Sequence, residues 1–238
     1  MNEKRIGVIL PAFNEAAVIK DVLLHIPESI TRKNTTYTLV PVVIDDGSRD
    51  ETALVARKNK RAHVIKHILN TGAGAATRTG LHYLRDNDFL FGATMDADGQ
   101  HDPHDLLKVI NAAIDGKADL IVGSRLVNTK GMPFHKIIGN KGLSLFTRIL
   151  LGVSSSDTQS GLKAFNRKTL ENLSYREDGY AFCSELLWRA HKSHLTIAEV
   201  PIKAIYTDHS KAKGQSSWNG FQIIKQLIKH RVSDFIHE

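Results

Sequence analysis

The segment Asp96-Ala97-Asp98-Gly99-Gln100-His101-Asp102-Pro103 holds the residue types that point most directly to chemistry. Hard divalent cations take oxygen ligands and often bind through one or two carboxylates plus substrate phosphates. Asp96 and Asp98 supply alternate carboxylates, and Gln100 a carbonyl oxygen. An EF-hand is excluded, because the loop lacks the D-x-[DN]-x-[DN]-G spacing and the distant Glu. His101 and Asp102 could equally do no more than cap the helix that follows. Gly123-Ser124-Arg125 adds a cation suited to phosphate. Paired carboxylates for Mg²⁺ or Mn²⁺ beside an arginine for phosphate make a diphosphate-binding edge.

Three further segments have a similar character. Pro11-Ala12-Phe13-Asn14-Glu15 contains no glycine, so it cannot be the Gly-x-Gly-x-x-Gly turn of an NAD or FAD site. It also reads as a turn with Asn14 as an N-cap. In Asp45-Asp46-Gly47-Ser48-Arg49-Asp50, adjacent carboxylates can accept hydrogen bonds from a base imide or from ribose hydroxyls. Ser48 and Glu51 also fit a capping box. In Asn70-Thr71-Gly72-Ala73-Gly74-Ala75-Ala76-Thr77-Arg78, small residues at a helix entrance let backbone approach a ligand. Free N–H groups there suit an anion. Close helix–sheet packing would use the same small residues, and no Gly-Lys-Ser/Thr follows to make a P-loop.

The elements that must position these residues follow from hydrophobic period. Apolar runs at Ile6–Leu10, Leu39–Ile44, His63–Ile68, Phe89–Met95 and Leu120–Val122 predict strands, with Pro41 weakening the second as a central strand. Helical spacing at Ile19, Val22, Leu23 and Ile26, and over 103–115, alternates with them. Further helices are predicted near 136–152 and 182–193, a polar loop at 153–161, a strand at Ile197–Ile205, and a terminal helix from 217. Repeated β-α units imply an α/β fold, a mostly parallel twisted sheet with helices on both faces. Ligands bind such sheets beyond the carboxyl ends of the strands, and the chemical segments sit there.

Composition bounds the remainder. The 238 residues carry a net charge of +7, which permits nucleic acid, an anionic membrane or a phosphorylated ligand. One cysteine, Cys183, excludes a disulfide framework and a Cys-based zinc cluster, and reads as a small buried apolar residue. No apolar run reaches the ~18 residues of a membrane span. A cytoplasmic protein is expected. Aromatics do not interleave with Lys and Arg as in nucleic-acid motifs, so no nucleic-acid partner is expected.

The segments PAFNE, VIDDGSRDET, NTGAGAATRTG, DADGQH and VGSR, with Asp157-Thr158-Gln159-Ser160-Gly161-Leu162-Lys163-Ala164-Phe165 and Glu199-Val200-Pro201-Ile202, resemble in order and spacing glycosyltransferase family 2. The similarity is to its dolichyl/polyprenyl-phosphate sugar synthase branch and covers roughly residues 5–215. The resemblance implies a GT-A fold, with a nucleotide-sugar-binding half and an acceptor half, in one domain over 1–216. It implies a UDP- or GDP-sugar donor and inversion at the transferred carbon. Pro11, Phe13 and Glu15 would bracket base and ribose, with Ala12 and Asn14 between them, and Asp46 beside Asp45 would read the base. Asn70, Gly72, Gly74, Arg78 and Ala97 would complete the donor site. Asp96, Asp98 and Gln100 would hold the metal, Arg125 would lie near the diphosphate, and Lys211 would close over it. Many relatives carry Lys or Gln where this chain has Ala73.

The acceptor implied is a polyprenyl phosphate, already ionised and needing no base. A glycan hydroxyl would need one, and Asp157 and Glu185 are the candidates. A non-catalytic basic binding protein is the remote alternative. Phe221, Ile224, Ile228, Val232 and Phe235, flanked by Trp218, Lys225, Lys229, His230 and Arg231, make 217–238 an amphipathic helix. It is expected to dock on the domain or a second subunit, or to lie on the inner face of the plasma membrane.

Overall fold

Alternate residues of the first strand go to opposite faces of a sheet, and both faces are covered by helices. A computed structural model describes residues 4–127, 129, 132, 134–203, 205 and 223–229. In β1 (Arg5–Ala12), Val8 and Leu10 join one apolar cluster while Ile9 joins the other. A strand buried on both sides reads as a continuous apolar run, as this one does. The first cluster packs under α1 (Ile19–His25) and α4 (Pro103–Ile114). The second packs under α3 (Ala73–Asp86) and α7 (Phe182–Lys192).

β1 pairs in parallel with β3 (Thr35–Asp45) and with β5 (Phe91–Thr94). β4 (His63–Lys66) is parallel to the end of β3, and β6 (Leu120–Ser124) to β8 (Ile197–Pro201). Two antiparallel strands interrupt this α/β pattern, and neither is predicted from period. β2 (Ser29–Arg32) pairs with the start of β3 through a hairpin whose turn residues Lys33 and Asn34 both have positive φ, the signature of a tight two-residue turn. β7 (Lys163–Asn166) is inserted between β5 and β6 and runs against both. Pro41 is tolerated because it falls between the β3 residues that pair with β2 and those that pair with β4.

The capping box is not formed. α2 (Thr52–Arg57) starts with its Thr52 N–H donating to Asp50, and the Ser48 hydroxyl accepts the N–H of Asn14 instead. Asn14 does not cap α1 either; its side chain accepts the Arg49 N–H. Both residues tie the loops after β1 and β3 together.

α5 (Phe134–Leu151) packs Ser144, Thr147 and Leu151 inward. Its opposite face exposes Phe134 (75%), Ile138, Leu145 and Ile149 (78%). α6 (Arg167–Asn172) is capped by Asn166. Of the terminal helix, α8 (223–229) is described, and it docks by Ile223 and Leu227 rather than by the predicted edge. Ile228 of that edge is exposed, and Trp218, Phe221, His230, Arg231, Val232 and Phe235 lie outside the described residues. No helix among the described residues is long and apolar enough to cross a membrane.

Candidate functional site

The loops that follow β1, β3, β5 and β6 open into one cleft of about 640 Å³. Pro11 to Glu15, Asp46, Asn70, Gly72, Asp96 to Asp98, Gln100 and Arg125 line it, so most of the expected donor residues meet there. Hydrogen bonds fix the first two loops to each other: Glu15 N–H donates to the Thr52 hydroxyl at 2.8 Å and Ala16 N–H to Asp50 at 3.1 Å. Phe13 is left partly exposed at the rim.

Asp45 and Asp46 divide their work. Asp45 is fully buried, accepts the Ser48 N–H at 2.9 Å, and lies 3.7 Å from Lys66. It shapes the turn and does not line the cleft. Asp46 lines it, yet both of its oxygens are occupied. They accept the N–H groups of Thr71 (3.0 Å) and Gly72 (2.7 Å) and the Thr71 hydroxyl (2.7 Å), with His67 Nδ1 at 2.8 Å. Burial pushes this carboxyl up, but these hydrogen bonds outweigh it and hold the group below its usual value. Asp46 therefore anchors the Asn70–Gly72 turn as well as facing the cleft.

The anion-site expectation at the entrance of α3 is overturned for Gly74 and Arg78. The N–H groups of Gly74 (2.7 Å) and Ala75 (3.2 Å) donate to the Asp178 carbonyl, so they are not free for a ligand. Gly72, at φ +106°, approaches the same carbonyl so closely that a Cβ would lie 2.3 Å from it. Arg78 reaches away from the cleft, donating to the Asp178 carboxylate at 2.5 Å and to the Arg176 carbonyl at 3.3 Å. These small residues serve the close packing of the 175–179 segment, which forms a cleft wall.

Asp96 and Asp98 stand on the cleft floor. Asp96 is solvent-accessible there but walled by protein, with His101 Nε2 at 3.0 Å. Burial raises its carboxyl, and the His101 hydrogen bond with the charges of His101, Arg125 and Lys163 brings it below normal. Asp98 moves the other way, raised by burial and by the negative charge of Asp96. Gln100 clamps Asp98: its backbone N–H donates at 3.0 Å and its side-chain amide donates to the second oxygen. The amide nitrogen of Gln100 is thus spent on Asp98, while its carbonyl oxygen, the expected cation ligand, takes no part in that bond. No group of three or more His, Cys, Asp or Glu suited to a metal occurs among the described residues. A like-charged carboxylate pair open to a cleft does fit a cation that completes its shell with substrate phosphate.

Arg125 and the two candidate bases are structurally committed. Asp157 is fully buried and receives Arg125 Nε at 2.8 Å, Nη2 at 2.9 Å and the backbone N–H at 3.0 Å. Burial acts upward on its carboxyl, but the arginine overrides it and keeps it below the usual range. Glu185, also fully buried, accepts the N–H groups of Arg176 (3.1 Å) and Glu177 (2.7 Å) and Arg189 Nε (3.1 Å). Neither lines the cleft. Both expectations of a proton acceptor fail for that reason: each carboxylate holds a partner in place.

The opposite wall carries residues that sequence reasoning did not single out. Lys136 and Asn140 reach the cleft from the first turns of α5, one helical turn apart, and Tyr180 and Phe182 from the 175–182 segment. The polar pair spaced one helical turn apart was the available signal. Cys183 is buried as expected, and it also borders the cleft. Lys211 lies outside the described residues.

Comparison with known proteins matches residues 7–174 to the family described as Glycosyl transferase family 2. The UDP-N-acetylglucosamine–dolichyl-phosphate N-acetylglucosaminyltransferase of Methanococcus voltae is 39% identical, over 96% of this chain and 96% of the relative. The polyprenol monophosphomannose synthase of Mycolicibacterium smegmatis is 30% identical, over 95% of this chain and 85% of the relative. Among solved structures, glucosyl-3-phosphoglycerate synthase from Mycobacterium tuberculosis, in complex with Mn²⁺, uridine diphosphate and glucosyl-3-phosphoglycerate, superposes with a TM-score of 0.71. That likeness covers 94% of this chain and 77% of the other at 20% identity, and concerns the GT-A fold.

Proposed function

Because the chain belongs to glycosyl transferase family 2, we propose that it moves a sugar from a nucleoside-diphosphate donor to the phosphate of a polyprenyl lipid, inverting the anomeric carbon. The observation that carries this choice of acceptor is the commitment of Asp157 and Glu185 to buried partners. A sugar hydroxyl must lose a proton as it attacks, whereas a lipid phosphate arrives ionised. A cleft whose candidate bases are both occupied suits the second.

The donor's base and ribose fit against Pro11, Phe13 and Asp46, and its diphosphate against Arg125 and the Asp96–Asp98 floor. Mg²⁺ or Mn²⁺ held by Asp96 and Asp98 would neutralise charge on the departing nucleoside diphosphate. Arg125, set by Asp157, aims a fixed positive charge at that developing anion, usually the largest catalytic contribution. Lys136 and Asn140, on the opposite wall, are the polar groups suited to the acceptor phosphate.

The exposed face of α5 suits a bilayer. Phe134, Ile138, Leu145 and Ile149 lie on one side, Lys141 and Arg148 flank them, and the helix contains no acidic residue. Apolar residues edged by basic ones bind anionic lipid surfaces. Lying there, α5 would hold the Lys136 end of the cleft at headgroup depth. The basic surplus thereby acquires a partner at α5 rather than only at the terminal helix.

UDP-N-acetylglucosamine is the first donor to test, since the Methanococcus voltae relative is named for it, and GDP-mannose the second, as a mannose donor to match the phosphomannose in the name of the Mycolicibacterium smegmatis relative. The protein is incubated with radiolabelled donor, Mn²⁺ and either polyprenyl phosphate in detergent or soluble saccharides. Label passing into the organic phase as a lipid-phosphate sugar is expected. Transfer to saccharide with none to polyprenyl phosphate would overturn the proposal.

A further inference from the structure

Lys163 is the largest fully buried charged side chain among the described residues. It opens β7, is 1% exposed, and is followed along the strand by buried Ala164 and Phe165. Its ammonium donates to the Ser160 carbonyl and lies 6.0 Å from the Phe182 ring centre. Among the described residues no carboxylate forms an ion pair with it, although the charges of Asp96 and Asp157 are near enough to interact with it. An ammonium removed from water without such a partner is costly, and an apolar residue of similar volume at such a site is often neutral or stabilising. Packing alone therefore does not account for a lysine here.

The carbonyl it holds belongs to the turn that presses on Asp96. Gly161 lies so near that a Cβ there would fall 2.2 Å from Asp96 Oδ2. The same turn is tied a second time, by the Thr94 hydroxyl donating to the Gly161 carbonyl at 2.7 Å. Thr94 is in β5, the strand that leads directly into Asp96, and Lys163 is its register partner in β7. The insertion of β7 antiparallel to β5 brings the lysine beneath the floor of the cleft.

We infer that Lys163 is a positioning residue for the donor site: its buried ammonium pins the Ser160–Gly161 turn against Asp96 and keeps that carboxylate aimed into the cleft. The inference rests on the donor-binding role proposed above. It assigns a function to a residue that touches neither donor nor acceptor.

The test is calorimetry of UDP with and without Mn²⁺ on wild type, Lys163→Met, Lys163→Arg and Thr94→Val, with thermal denaturation of each. Lys163→Met is expected to keep its Tm, weaken Mn²⁺-dependent UDP binding by about tenfold, and leave KM for the acceptor unchanged. Lys163→Arg should regain most of that binding, because the guanidinium keeps both charge and donors. Wild-type affinity in Lys163→Met overturns the inference, as does a binding loss that merely follows a lowered Tm. If Lys163→Met does not fold, Thr94→Val decides: weakened binding supports the pinned turn, and unchanged binding overturns it. Failure of wild type itself to bind UDP would instead count against the donor site.

Discussion

Asp157 fixes the plane of the Arg125 guanidinium, because its two oxygens take Nε and Nη2 while one of them also takes the Arg125 backbone N–H. The pair joins the end of β6 to the 157–161 loop, so the arginine that faces the cleft is set by a residue that does not. The consequence is testable at both ends.

Asp157→Asn should destabilise the fold by about 3 kcal/mol, the cost typical of breaking a buried ion pair from one side. Activity should fall as Arg125 loses its setting, while the shape of the pH–rate profile stays the same. A lost acidic limb in that profile would restore Asp157 as the base.

The same carboxylate gives a pH dependence with a definite sign. Its folded value is depressed, so the stabilisation is fully present above the unfolded carboxyl value of about 4 and is lost as pH falls through the lower folded value. Denaturant unfolding of wild type should therefore weaken on acidification below about pH 4, and Asp157→Asn should show a shallower slope there.

Asp98→Ala should reduce metal-dependent turnover of the donor by about 100-fold, in line with loss of charge stabilisation at a developing anion. Chelation of divalent cations from wild type should do the same and reverse on adding Mn²⁺. Undiminished turnover in the variant would remove Asp98 from the cation site.

Gly161→Ala places a methyl group 2.2 Å from Asp96 Oδ2. The carboxylate has to swing aside or the turn has to lift, so turnover should drop at least about tenfold, with a change in Tm smaller than that of a core cavity. Activity assays and thermal denaturation on the same preparation check both parts.

Replacing Ile138 and Leu145 with Asp should abolish flotation with anionic vesicles and leave UDP binding intact. Neither side chain faces the core, as both are exposed. Turnover of a short-chain, detergent-dispersed acceptor phosphate should persist. Retained flotation in this variant would point to the terminal helix instead.

The local chemistry of this protein is legible in its sequence because strand ends announce themselves. Runs such as Ile6–Leu10 and Leu120–Val122 are apolar at every position, as burial on both faces of a sheet requires, and the polar residues after them must share one edge. From this the cleft, its carboxylate floor and Arg125 follow. What each polar group binds could not follow, because hydrogen-bond partners are chosen between segments that meet only in the folded chain. Asp157 meets Arg125 across 32 residues, the Asp178 carbonyl takes the far-off α3 entrance, and Glu185 meets the nearer 176–177 backbone only because the loop before α7 folds back on that helix. β7 escaped for the same reason: four residues without a helical or alternating signature become a central strand only because β5 and β6 leave a gap of one strand between them. The sequence by itself determined which residue types reach the cleft; the tertiary structure decided which remain available there and which are spent holding others, since an ion pair or a capped N–H is a property of two segments and never of one.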